Sequence, residues 1–236
     1  MKSFQTTAIA ACATILAGCA GQTINMTPEA AKSMQNLAVT KQNDSTNMGL
    51  TVVSQQANAA GFGLLFVVIG QAGVDRNNAK AALLTKAFDM QANNPARDFN
   101  AQIEKSLTAS GYRISWVDAG VDKNGQNVAD FSKATGQDTN VQITFSNGYV
   151  ATNELTSFYP SIVSGVTVTD AKTKTVLHSQ LYSYGHATLG KHIDAHPACK
   201  FSDLEAMTGN IELTRKCMKD GVDQIAALIA NDFKRQ

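Results

Sequence analysis

The sequence predicts one α+β domain, a mostly antiparallel sheet with helices packed on one face, behind a cleaved signal peptide and a polar tether. Three observations predict it. Val141, Ile143 and Phe145 alternate with Gln142, Thr144 and Ser146, the period of a strand with one dry face. Elsewhere apolar residues recur at helical spacing, at Phe99, Ile103 and Leu107 and again at Val222, Ile225, Leu228, Ile229 and Phe233. The chain of 236 residues is 44% apolar, enough for one generous core. No apolar run reaches the roughly 20 residues of a membrane-spanning helix. Lys and Arg total 20 against 19 Asp and Glu, so the surface has no basic excess for gripping nucleic acid.

In chain order, residues 19–46 read as a tether that contains one short helix. Thr27-Pro28-Glu29 supplies an N-cap, a first-turn proline and an early acid, so that helix runs to about Leu37. The globular domain then spans 47–236, and its first strand lies at residues 48–53. Residues 61–70 hold an unbroken apolar core from Leu64 to Ile69. Period alone cannot separate a buried strand from a buried helix end there. Shallow membrane insertion and a subunit contact are the alternatives.

A helix is expected from Asn78, with Leu83, Ala87 and Met90 on its buried side. Asn93-Asn94-Pro95 interrupts it, and Asn94 caps a second helix with Pro95 in the first turn. Gly111 stops that helix, and Tyr112, Ile114 and Trp116 alternate as a strand. A polar loop covers residues 121–127, and Val128 and Phe131 suggest a short helix ending at Gly136. Residues 162–169 and 176–184 flank a polar loop at 170–175 and make a hairpin. The C-terminal segment is one amphipathic helix.

The N-terminus says where such a domain belongs. Lys2 is followed by Ala8-Ile9-Ala10-Ala11-Cys12-Ala13-Thr14-Ile15-Leu16 and then by small residues, the pattern of a secretory signal peptide over residues 1–18. Leu16-Ala17-Gly18-Cys19 resembles the lipobox of the bacterial lipoprotein family. The resemblance implies cleavage between Gly18 and Cys19, a diacylglycerol on the Cys19 sulfur and a third acyl chain, such as palmitate, on its amine. A second candidate, Ile9-Ala10-Ala11-Cys12, has no adequate apolar region before it. Ala20 after the cysteine lacks the aspartate associated with inner-membrane retention, so the outer membrane is expected, with the domain facing the periplasm. Two or more acyl chains make attachment stable, so no cofactor beyond this lipid is expected.

A second resemblance covers about a quarter of the chain. The helix at 95–110, the strand at 112–117, the short helix before Gln137-Asp138 and the strand from Thr139 resemble the small α/β domain of the Tol-system propeller protein. That domain type recurs in the curli-secretion lipoprotein and in outer-membrane activators of peptidoglycan synthesis. The apolar run at 61–70 does not alternate, which argues against a pore wall.

Cys199 and Cys217 outlast signal cleavage, and an exported chain usually pairs such a couple. The competing expectation is a metal site of His186, His192, His196 and Cys199, with His192 and His196 one helical turn apart. Ile193 stands where the metalloprotease pattern needs Glu, and Pro197 interrupts the segment. Tyr149, Phe158 and Tyr159 are placed in a long loop, either as a partner contact or packed under Pro160. No nucleophile elbow, phosphate loop or complete dinucleotide glycine set occurs. Pairs such as Asp118 with Asp122, or Asp220 with Asp223, read as solvated faces, and His178 as a satisfied strand histidine. The function expected is therefore a non-enzymatic lipoprotein that presents its domain to an envelope protein or to a second copy of itself. The alternative is a metal-binding or hydrolytic protein built on the histidine cluster.

Overall fold

The computed structural model describes residues 23–52, 74–121, 127–151, 156–185 and 190–235. The expected signal peptide (residues 1–18), Cys19, the apolar run 61–70, Asp122 and His186 lie outside the described residues.

Helix α1 (Pro28–Ser33) starts as its cap requires, the Thr27 hydroxyl accepting from the Ala30 amide at 3.2 Å. The next element corrects the tether reading of residues 19–46. Strand β1 (Asn36–Lys41) sits inside the sheet, with Leu37, Ala38 and Val39 fully buried. Consecutive residues from Leu37 to Thr40 are buried, so both faces are covered and the strand carries no alternation to recognise. Asp138 pins its entrance by accepting from the amides of Gln35 and Asn36, at 3.1 and 3.0 Å. Even Ile24 belongs to the fold, through paired backbone hydrogen bonds to Ser179.

Strand β2 (Gly49–Val52) falls where it was expected, and helices α2 (Val74–Phe88) and α3 (Pro95–Ala109) follow. In α2 the buried side is Leu84 and Phe88, whereas Leu83 is 59% exposed. Arg215 donates to the carbonyls of Ala87 and Phe88 at the helix end. In α3 the predicted stripe of Phe99, Ile103 and Leu107 is buried, worth about 1.5–3 kcal/mol per side chain as an upper estimate. Its cap does more than close the helix. Asn94 is 3% exposed, accepts from the Ala96 amide, and exchanges side-chain hydrogen bonds with the Ser45 backbone.

The remaining elements are β3 (Arg113–Val121), β4 (Asn127–Ala129), a 3-10 turn (Phe131–Lys133), β5 (Thr139–Ala151), β6 (Tyr159–Asp170), β7 (Val176–Gly185), β8 (Lys191–Ile193), a second 3-10 turn (Pro197–Cys199), α4 (Leu204–Gly209) and α5 (Ile211–Asp232). Val128 is thus in a strand, and only Phe131 onward turns helically.

The strands form one mixed sheet in the order β4-β3-β1-β5-β6-β7-β8, with β2 also paired to β5. The hairpins joining β5, β6 and β7 are antiparallel, as expected. The N-terminal strands instead run parallel, β1 with β3 and β5, and β2 with β5. Parallel neighbours need a long crossover, which α2 and α3 supply between β1 and β3. Helices α3 and α5 pack side by side on one face, where Phe99 stacks on Phe145 and Gly221 lies against Tyr184.

Candidate functional site

Among the described residues, 190–199 of the histidine–cysteine segment form no α-helix. His192 lies in β8, and its Nδ1 is 3.0 Å from the Ser183 hydroxyl while its Nε2 meets Asp194. His196 caps the second 3-10 turn, its Nδ1 accepting from the Ala198 amide. Cys199 is bonded to Cys217, so its sulfur cannot serve as a metal ligand. The one-turn spacing of His192 and His196 therefore has no helix to act on. No cluster of three or more His, Cys, Asp or Glu suited to a metal occurs among the described residues. Pairing with Cys217 ties the β8 segment to α5 across 18 positions.

The aromatic contact surface is also corrected. Tyr149 is fully buried in β5, its hydroxyl donating to the Thr214 carbonyl at 2.6 Å and its ring set edge-on to Phe201. Burial pushes the Tyr149 phenol well above its usual range, so it stays protonated. Phe158 is 8% exposed and exchanges two backbone hydrogen bonds with Phe201. Tyr159, half-buried at the start of β6, carries the Lys200 ammonium 5.8 Å from its ring centre. The expected loop is mostly strand, because β5 runs on to Ala151 and β6 already begins at Tyr159. A Cβ on Gly148 would lie 2.7 Å from the Gly49 carbonyl oxygen, so glycine there lets β2 approach β5.

The densest polar constellation joins β7, β8 and the end of α5. His178 is fully buried, and its Nε2 lies 2.9 Å from the Tyr182 hydroxyl. Tyr182 donates to Asp232 at 2.6 Å, and Asp232 is bridged to Lys191. With the phenol proton committed to the carboxylate, the Tyr182 oxygen must accept from His178, which places the imidazole proton on Nε2. Nδ1 then has no hydrogen-bond partner among the described residues. Burial holds the His178 pKa below its ordinary value, against the charge of Asp232. Burial and the bond to Asp232 raise the Tyr182 pKa.

This chain of groups clamps the last turn of α5 to the sheet edge. Its His178 and Tyr182 members are fully buried and offer no surface to a substrate. His178 as a satisfied strand residue was expected, but its partners Asp232 and Lys191 were not. The signal available was Asp232 itself, an acid three residues past Ile229 and seven past Ile225, inside the apolar stripe.

Two clefts lie at the other end of α5. One of about 260 Å³ is lined by Phe88, Asp98, Arg215, Met218 and Lys219. Desolvation raises the Asp98 pKa there, opposed by Lys219 and Arg97. A shallower groove of about 730 Å³ runs between α2 and α4, lined by Leu83, Lys86, Ala87, Leu204, Glu205 and Thr208. Leu83 is the exposed large apolar side chain among the described residues.

No family model matches the chain, and no curated protein matches it. Among solved structures it is similar to a crystal structure of a Xanthomonas campestris protein in the family designated DUF330. The TM-score is 0.40 at 9% identity, covering 84% of this chain and 81% of that one.

Proposed function

We propose that the protein is a lipid-anchored outer-membrane lipoprotein without enzymatic activity, whose α+β domain binds or scaffolds an envelope partner on the periplasmic side. The observation that carries the reading is the lipobox Leu16-Ala17-Gly18-Cys19 behind a short apolar run and a single N-terminal charge. The Cys199–Cys217 disulfide supports it, because such bonds persist in exported proteins and not in a reducing cytoplasm. The mechanism is localisation. Acyl chains on Cys19 hold the domain at the bilayer and raise its effective concentration near partners there. Removing one sulfur tests it. In a Gram-negative host the parent chain is expected in the outer-membrane fraction, and Cys19→Ala is expected to lose that attachment. Equal membrane retention of Cys19→Ala and parent would overturn the reading.

A further inference from the structure

The leash between the proposed lipid and the folded domain is very short, and the structure shows where it ends. Ile24 is fixed to the outer edge of β7 by two backbone hydrogen bonds, its amide to the Ser179 carbonyl at 2.8 Å and its carbonyl from the Ser179 amide at 2.9 Å. Five residue steps separate Cys19 from Ile24. Fully extended they reach about 18 Å. A compact domain of this length has a radius of gyration of about 17 Å and so is roughly 40 Å across. The leash therefore cannot let the domain roll freely over the bilayer.

The same edge of β7 continues into β8. Ile24 pairs antiparallel opposite Ser179, and three residues further on Lys191 pairs with Tyr182 on that edge. A Cβ on Gly190 would lie 2.0 Å from the Leu181 carbonyl oxygen, so β8 closes tightly on β7 there. Exposed Lys172 and Lys174 lie on the turn leading into β7, at the end of the strand opposite Tyr182. The neighbouring Asp170 carboxylate is engaged by the amides of Lys172 and Thr173. Asp194, beside His192, is the acid exposed at the end of β8.

Resting on the lipidation reading above, we propose that the β7–β8 edge is the membrane-facing surface of the domain. It lies against phospholipid headgroups, with Lys172 and Lys174 meeting their phosphates and the β4 edge turned away. From β8 to β4 there are six strand spacings, about 29 Å, which makes the sheet its own ruler.

The test uses the mature full-length chain bound to vesicles of phosphatidylethanolamine and phosphatidylglycerol doped with nitroxide-headgroup lipid. A fluorophore is placed on Asp194→Cys or on Lys133→Cys, both surface positions whose side chains are 95% and 85% exposed. The disulfide stays oxidised throughout. Quenching is expected to be severalfold stronger at 194 than at 133. Inserting 20 Gly/Ser residues between Gln22 and Thr23 adds a coil of about 25 Å and is expected to remove the difference. Equal quenching at both positions on vesicle-bound protein, or stronger quenching at 133, would overturn the orientation while leaving the lipid reading intact. A chain that does not stay with the vesicles would overturn the lipid reading, and the orientation with it.

Discussion

Replacing Gly221 by alanine sets two effects of known sign against each other. In the interior of α5 the change removes the entropic handicap of glycine, worth about 1 kcal/mol in favour of the variant. The new Cβ, however, would lie 2.5 and 2.6 Å from two ring carbons of Tyr184 and 2.8 Å from the Cδ1 of Ile162. Tyr184 and Ile162 are both fully buried, so neither can swing into solvent. Relief needs a shift of about 1 Å between α5 and the sheet, and such overpacking costs up to about 3 kcal/mol. The net is a loss of about 2 kcal/mol, or about 4–8 °C in Tm for a domain of this size. Gly209→Ala is the control, since nothing lies within 4 Å of its added Cβ. Thermal unfolding followed by circular dichroism should show Gly209→Ala unchanged or slightly raised and Gly221→Ala clearly lowered. Tyr184→Leu should make the two changes less than additive, because it empties the space the new methyl needs. A Gly221→Ala protein as stable as the parent would refute the close helix–sheet approach.

Further outcomes follow from the same geometry. Converting Cys199 and Cys217 together to serine opens a loop closed across 18 positions and should cost about 3 kcal/mol in denaturant unfolding. The loss should match that of the reduced parent. His178 is held neutral in the fold with its pKa lowered, so the unfolded chain takes up the proton first. Its contribution is complete above the unfolded value of about 6.5 and is lost as pH falls below it, with a slope of at most about 1.4 kcal/mol per pH unit. His178→Leu should flatten that part of the stability profile between pH 6.5 and 5. An unchanged slope would mean that His178 does not titrate there.

Much of the fold was legible because local chemistry and tertiary context agree. The Asn94-Pro95 cap, the Phe99-Ile103-Leu107 stripe, the β6–β7 hairpin and the helix ending at Phe233 are each written in a few adjacent residues. What stayed hidden depends on partners distant in sequence. Strand β1 is short and covered on both faces, so its neighbours define it and its pattern does not. Gly148 looks like punctuation until Gly49 is placed against it. The last carbonyls of α2 are satisfied by Arg215, more than a hundred residues away, which no local pattern announces. The candidate site divides the same way. The cysteine pair could be read from the expectation of export that the N-terminal pattern raises, whereas Asp232 and Lys191 meet only once α5 lies along β7 and β8.

The most direct test of the account is the mass of the mature N-terminal peptide from protein purified from Gram-negative membranes. Cleavage before Cys19 with a diacylglycerol on its sulfur and an acyl chain on its amine is the expected result. An unmodified Cys19, or a mature chain that begins elsewhere, would contradict it.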